Sequence, residues 1–294
     1  MEEQENKRNY PWEKRNPESH KGSYGHLFVM GGSPGFTGAV CLAAQAALRS
    51  GVGLVTVGIP ESLNDILEVK LTEPMSLPLP ETGEKTFSLR AAELALDFIR
   101  ERSDAAVIGP GISLHPETIN CLTSLIPQIP VPMVIDADAL KIISTRMEIM
   151  KKLKAPVILT PHPGEMGYLV GKSAAEVQKD RLNLARRLAE EYQVVVVLKG
   201  HRTVVTDGHN ATINLTGNAG MATAGAGDVL SGIAGSFLAQ GMQTLEAASW
   251  AVYFHGLAGD LAVSAKGEIS LIASDLIEYL PLAFQMFKRK GAPS

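Results

Sequence analysis

Short apolar runs alternate with longer amphipathic stretches along most of the chain. HLFVMGG (26–32), LVTVGI (54–59), AAVIGPG (105–111), VPMVIDAD (131–138), PVILTPHPG (156–164) and VVVVLKG (194–200) are aliphatic runs, most of them closing on glycine, proline or a polar side chain. Runs of that length and make-up predict buried strands. TGAVCLAAQAALRSG (37–51) predicts a helix with a glycine stop, and 88–102, 115–127, 139–153 and 173–192 predict amphipathic helices. The proline-punctuated EPMSLPLPETGEKT (73–86) reads as loop. TVVTDGHNATINLTG (203–217) predicts two short strands around Asp207-Gly208. Three helices follow, over 226–240, 244–265 and 273–287. Apolar strands alternating with helices predict an α/β fold, a three-layer α/β/α sandwich around a mainly parallel central sheet.

Composition narrows the function classes. The 294 residues suit a single domain over 21–294, preceded by a flexible polar lead-in over 1–20. With 27 basic against 31 acidic residues the net charge is −4, so no basic field points to nucleic acid. No apolar run reaches about 18 residues, which predicts no membrane span. The charged N-terminus lacks the apolar segment of a signal peptide. Cys41 and Cys121 have no CxxC partner and read as buried free thiols, which with the rest predicts a cytoplasmic protein.

In an open α/β sheet ligands bind beyond the carboxyl ends of the strands. The segments there are GGSPGFTGA, GPGIS, DADAL, TPHPGE, KGHRT and GNAGMATAGAGD. GGSPGFTGA (31–39) is neither GxGxxG nor GxxxxGK[ST], so a tight turn explains it as well as a Rossmann or phosphate loop does. GPG (109–111) is a rigid turn, with or without a ligand on its backbone. Asp136 and Asp138 end a strand, where one of them can cap the next helix or orient water or a metal. His162 is held between two prolines, and Glu165 opens a helix, where it fits a cap. Lys199 leaves the strand VVVVL, so its ammonium is expected to reach a polar space. With Gly200 and Thr203 beside it, that suggests contact with phosphate or nucleotide.

TGNAGMATAGAGDVLSGIAGSFLAQG (216–241) carries the most specific signal. Gly225-Ala226-Gly227 precede a helix expected to open with Asp228-Val229-Leu230. Helix N-termini attract anions, and small residues let a phosphate reach the backbone. A plain N-cap, worth about 1 kcal/mol, would explain Asp228 but not the small residues around it. Asp228 therefore reads as a base taking a proton from an attacking hydroxyl, with the 225–227 turn as an anion hole.

GAGD before a helix resembles the signature of the ribokinase-like superfamily. HKGSYGHLFVMGGSPGFTGA, VIGPG, VIDADAL, LTPHPGEM, VVLKGHRT and TGNAGMATAGAGDVLSGIA occur in the order seen in the NAD(P)H-hydrate dehydratases, the YjeF C-terminal type. The resemblance runs from about His20 to the end of the chain. It implies a ribokinase-like fold and repair of NADHX or NADPHX, the nicotinamide cofactor hydrated at the C5–C6 bond of its ring. In that reaction the 6-hydroxyl of the S-form is phosphorylated by ADP or ATP with Mg2+, phosphate leaves and the double bond returns. Carried over, the resemblance makes Asp228 the base and Gly225, Ala226 and Gly227 the anion hole. Ala39, Gly111, His162 and Asp228 would contact the hydrated cofactor. Lys199, Gly200, His201, Arg202, Thr203, Asn218 and Gly227 would line the adenine nucleotide, whose phosphates would hold most of the Mg2+ coordination. A homo-oligomer, a tetramer by family precedent, is implied as well.

The chain departs from the family pattern at Asn218-Ala219-Gly220, where Asn-Pro-Gly is frequent, and at Ala226, where relatives often carry a hydroxyl. Many relatives also carry an N-terminal epimerase domain, which is not expected in this chain. Two other readings use the same residues: a ribokinase-like kinase of a vitamin precursor, which would release a phosphorylated product, and a non-catalytic nucleotide-binding protein. A dehydratase instead releases free phosphate and a product that absorbs near-ultraviolet light.

Overall fold

The computed structural model describes residues 15–291. β1 (His26–Met30) leads into α1 (Thr37–Arg49), followed by β2 (Leu54–Pro60), α2 (Asn64–Lys70) and β3 (Met75–Leu79). α3 (Ala91–Arg102), β4 (Ala105–Ile108), α4 (Pro116–Leu125), β5 (Met133–Ile135) and α5 (Asp138–Ser144) come next. β6 (Val157–Leu159) precedes α6 (Pro163–Val170), α7 (Ala174–Lys179) and α8 (Arg181–Tyr192). β7 (Val195–Leu198), β8 (Val204–Thr206) and β9 (Ala211–Ile213) complete the sheet, and α9 (Ala226–Ala239), α10 (Thr244–Lys266) and α11 (Ala273–Gly291) close the chain.

The nine strands lie in the order β3-β2-β1-β4-β5-β6-β7-β8-β9. β1 to β7 are parallel to their neighbours, and the hairpin β8–β9 adds antiparallel to β7. Alternate strand residues feed two cores. Leu27 and Val29 face α1, α2, α9, α10 and α11, while Phe28 and Met30 face α3 to α8. This is the expected three-layer sandwich. Both faces of the inner strands are dry, which is why the runs lack polar alternation.

Several elements differ from their sequence patterns. The 73–86 stretch, read as loop, contains β3; it pairs only with β2, and an edge strand tolerates Pro78 because its outer side needs no donors. α2 has no counterpart among the expected helices. The 173–192 pattern is two helices broken at Asp180, whose φ of −141° is not helical. Of the 139–153 pattern only α5 is α-helical, and Met147–Lys152 tightens to a 3-10 helix.

Of the lead-in, residues 1–14 lie outside the described residues. Arg15 donates to the Gly51 carbonyl at 2.6 Å and stacks 3.9 Å over the Tyr24 ring. Both cysteines are buried, Cys41 on α1 and Cys121 on α4. No helix among the described residues is long and apolar enough to cross a membrane.

Candidate active site

Because β1 to β7 run the same way, the loops after β1, β4, β5, β6 and β7 share one edge of the sheet. The strand order reverses between β1, which continues toward β2, and β4 on its other side. That reversal is where open α/β sheets form a crevice. The loops after β1 and β4 are joined there: Gly32 N–H donates to the Pro110 carbonyl at 2.8 Å, and the Ser33 hydroxyl to the Gly111 carbonyl at 2.8 Å. Gly111 lies against Phe36 and Ala39, so two of the expected cofactor contacts are neighbours. Phe36 is largely exposed beside them.

The next three loops build a charged cluster. Lys199 Nζ stands 2.8 Å from Asp136 Oδ1 and 3.7 Å from Glu165 Oε2. Asp136 is buried and also accepts the Ser231 hydroxyl at 2.6 Å. Burial alone would raise its carboxyl; Lys199 and the Ser231 and Thr160 hydroxyls outweigh burial and hold it below the usual carboxylate range. Burial works against the Lys199 charge too, but Asp136, Glu165 and Asp228 raise it above an ordinary lysine. Burial also raises Glu165. The ammonium does reach a polar space, but one made by carboxylates of its own chain.

Neither aspartate after β5 caps α5: the capping position is Ala137, without a side-chain bond. Asp138 instead accepts from Ser113 N–H and pairs with Lys141 at 3.3 Å. His162 and Glu165 form a reciprocal cap on α6. His162 Nδ1 accepts the Gly164 and Glu165 N–H groups at 3.0 and 3.2 Å, and Glu165 Oε2 accepts His162 N–H at 2.8 Å. With Nδ1 used as acceptor, the ring proton sits on Nε2. Burial, then Lys199, lowers the imidazole, so it stays neutral.

The KGHRT loop is held from behind by Arg181. Its guanidinium donates to the Leu198 carbonyl at 2.8 Å, to Lys199 at 3.2 Å and to His201. His201 and Arg202 are exposed, while Thr203 returns its hydroxyl to the Gly200 carbonyl at 2.9 Å. Asn218 caps a short 3-10 turn and donates to Asp260 Oδ1 at 3.0 Å; Asp260 Oδ2 accepts Gly217 N–H at 2.9 Å.

α9 begins at Ala226, as the 226–240 pattern predicts, so Ala226 and Gly227 are inside the helix instead of preceding an opening at Asp228. Gly225 occupies the capping position with φ +90°, where a Cβ would also meet Leu42 Cδ1 at 2.5 Å. Asp228 is therefore the third helical residue and does not cap the helix. Among the described residues nothing accepts the N–H groups of Gly227 and Asp228, and no hydrogen bond holds the Asp228 carboxylate. Gly227 lies over the charged cluster: a Cβ there would stand 3.3 Å from Lys199 Nζ. Burial, then the Asp136 charge, pushes Asp228 up to about 7, with Lys199 opposing and Glu165 adding. A carboxyl that changes charge near neutrality, beside free helix-end donors, is suited to proton abstraction.

Lys199, His162, Gly227 and Asp228 thus surround Asp136 and Glu165, and Ala39 meets Gly111 at the neighbouring loops. Sequence reasoning missed Arg181, Asp260 and Ser231. Each acts through a fold contact between distant segments, and Arg181 reads only as one of several helix arginines.

A family model described as NAD(P)H-hydrate dehydratase matches residues 27–282. A bifunctional NAD(P)H-hydrate repair enzyme of Moorella thermoacetica is 46% identical over 270 residues, covering 91% of this chain and 51% of that protein. An ADP-dependent (S)-NAD(P)H-hydrate dehydratase of Neisseria meningitidis is 38% identical, covering 86% of this chain and 82% of that protein. The crystal structure of an ADP/ATP-dependent NAD(P)H-hydrate dehydratase of Bacillus subtilis, co-crystallised with ATP and Mg2+, superposes with a TM-score of 0.80 at 31% identity, over 93% of this chain and 94% of that one. An adenosine kinase of Sinorhizobium meliloti shares the fold at a TM-score of 0.57 and 12% identity. The chain spans about half the length of the bifunctional relatives it matches.

Proposed function

Because the chain belongs to the NAD(P)H-hydrate dehydratase family, we propose that it restores NADH and NADPH from their S-hydrates at the expense of ADP or ATP. The observation that carries this reading is Asp228: a carboxyl without a hydrogen-bond partner among the described residues, pushed up to about 7, in the first turn of a helix whose Gly227 and Asp228 N–H groups are free.

In this reading the hydrated ring lies over Ala39 and Gly111 with His162 at its edge, and the nucleotide lies along Lys199–Thr203 and Asn218. Asp228 accepts the proton of the 6-hydroxyl as that oxygen bonds to the terminal phosphorus of the nucleotide. The Gly227 and Asp228 N–H groups, with the turn at Gly225 and Ala226, receive the charge that builds on the phosphoryl oxygens. Breaking of the C6–O bond then releases phosphate with its electron pair, C5 gives up a proton, and the double bond returns.

A magnesium ion would neutralise charge on the nucleotide phosphates. The residues fit an ion held chiefly by those phosphates. No group of three potential ligands occurs among the described residues, and Asp136 is already taken by Lys199 and Ser231. Asp228 is the carboxylate left free to approach it. A cytoplasmic homo-oligomer, a tetramer, is part of the same proposal.

The test is to incubate the protein with chemically hydrated NADH, Mg2+, and ADP or ATP in turn, following near-ultraviolet absorbance and free phosphate together. Recovery of absorbance with stoichiometric phosphate is expected. A phosphorylated product without absorbance would mark a kinase, and no change with either donor would remove the reading.

A further inference from the structure

His255 has no place in the mechanism above, yet it touches the anion-binding turn. Its Nε2 lies 2.9 Å from the Ala226 carbonyl oxygen. A carbonyl only accepts, so Nε2 carries the proton and Nδ1 is bare. Burial pushes the imidazole down to about 4, so the ring is neutral at physiological pH and the tautomer is fixed.

The Ala226 carbonyl is one end of the peptide group whose other end is the Gly227 N–H. As an early helical carbonyl it already has a helical partner four residues on, so the His255 bond is additional to what the helix needs. A hydrogen bond to a carbonyl draws density through the amide and makes the N–H on its far side a stronger donor. It also fixes the plane of that peptide.

α10 holds the opposite wall as well. Asp260, on the same helix, receives Gly217 N–H and Asn218 Nδ2. At Gly256 the Thr216 backbone approaches too closely for any Cβ, and at Gly259 the Met221 side chain packs directly against the helix. One rigid helix therefore sets the distance between the 216–221 loop and the start of α9.

We propose that His255 is a positioning residue for phosphoryl transfer: by donating from Nε2 to the Ala226 carbonyl, it orients the Ala226–Gly227 peptide and strengthens the Gly227 N–H toward a phosphoryl oxygen. The proposal rests on the functional reading above. Its test includes a readout that does not depend on turnover.

Gln and Asn separate reach from polarity. The carboxamide of His255→Gln extends to where Nε2 stands, whereas that of His255→Asn stops near Nδ1. His255→Asn is expected to lower kcat about tenfold, a fraction of the loss from deleting an oxyanion donor, with KM for the nucleotide nearly unchanged. His255→Gln retains most of kcat. In [15N]glycine-labelled protein without nucleotide, the Gly227 amide proton moves upfield in His255→Asn and stays near its native position in His255→Gln. Its shift on adding inorganic phosphate shrinks in His255→Asn alone. Equal behaviour of the two variants, or a native Gly227 resonance in both, overturns the proposal. If the native protein does not act on hydrated NADH, the functional reading fails, while the Gly227 resonance still decides the role of His255.

Discussion

Lys199 stands 2.8 Å from Asp136 in a site where Asp136 is 1% exposed, and the pair ties the ends of β5 and β7 together. A buried pair of this kind costs little while whole and a great deal when halved. Lys199→Met leaves a dry carboxylate with only hydroxyl partners and is expected to destabilise the fold by about 3–5 kcal/mol. Adding Asp136→Asn removes the stranded charge and returns most of the loss. Urea midpoints at unchanged slope measure both; equal stabilities of the single and double variants would contradict the pairing.

Asp228→Asn is expected to lower turnover by about 10²–10⁴-fold, the range for loss of a general base, while nucleotide binding by calorimetry persists. Unchanged turnover would refute the base assignment.

The same substitution should make the protein more stable, and the sign follows from the raised carboxyl. A group held at about 7 in the fold against 3.8 for an ordinary aspartate binds more protons folded than unfolded between those values. Stability is therefore lost as pH rises through that window. Asparagine does not titrate. The melting temperature of Asp228→Asn is expected to match the native protein near pH 4 and exceed it by pH 8; the reverse order would mean that Asp228 ionises without difficulty.

For the native protein, kcat/KM is expected to rise with pH and level off above about 7. A plateau extending down to pH 5 would show an ordinary, fully ionised carboxylate in the free enzyme.

Arg181 donates to the carbonyls of Leu198, Lys199 and His201, at the end of β7 and in the loop that follows it. Arg181→Gln is expected to raise KM for the nucleotide about tenfold, the loss of a charged hydrogen bond, and to leave kcat nearly unchanged. A drop in kcat at constant KM would place Arg181 in the chemistry instead.

The sheet was legible because buried parallel strands are short, uninterrupted aliphatic runs, as in VVVVL before Lys199. β3 was not, because prolines at 74 and 78 mark loops everywhere except at an outer strand. Asp228 stood out as an acid among small residues, and the 226–240 pattern gave the start of its helix; that Asp228 is the third helical residue and not its opening one depends on the positive φ of Gly225 at the cap. Lys199 was expected to reach a polar space, and it does, but its partner Asp136 lies 63 positions earlier and meets it only through the β5-β6-β7 order. Arg181, Asp260 and His255 depend on such meetings entirely, so no local pattern marks them.

The two sulfhydryl groups have a consequence for redox chemistry. Peroxides attack the ionised form of cysteine. Burial raises Cys41 and pushes Cys121 up to about 12, so at neutral pH almost none of either is ionised. An oxidative burst sufficient to inactivate thiol-dependent enzymes should leave this protein's cysteines reduced, to be counted afterwards with an alkylating reagent in the denatured chain.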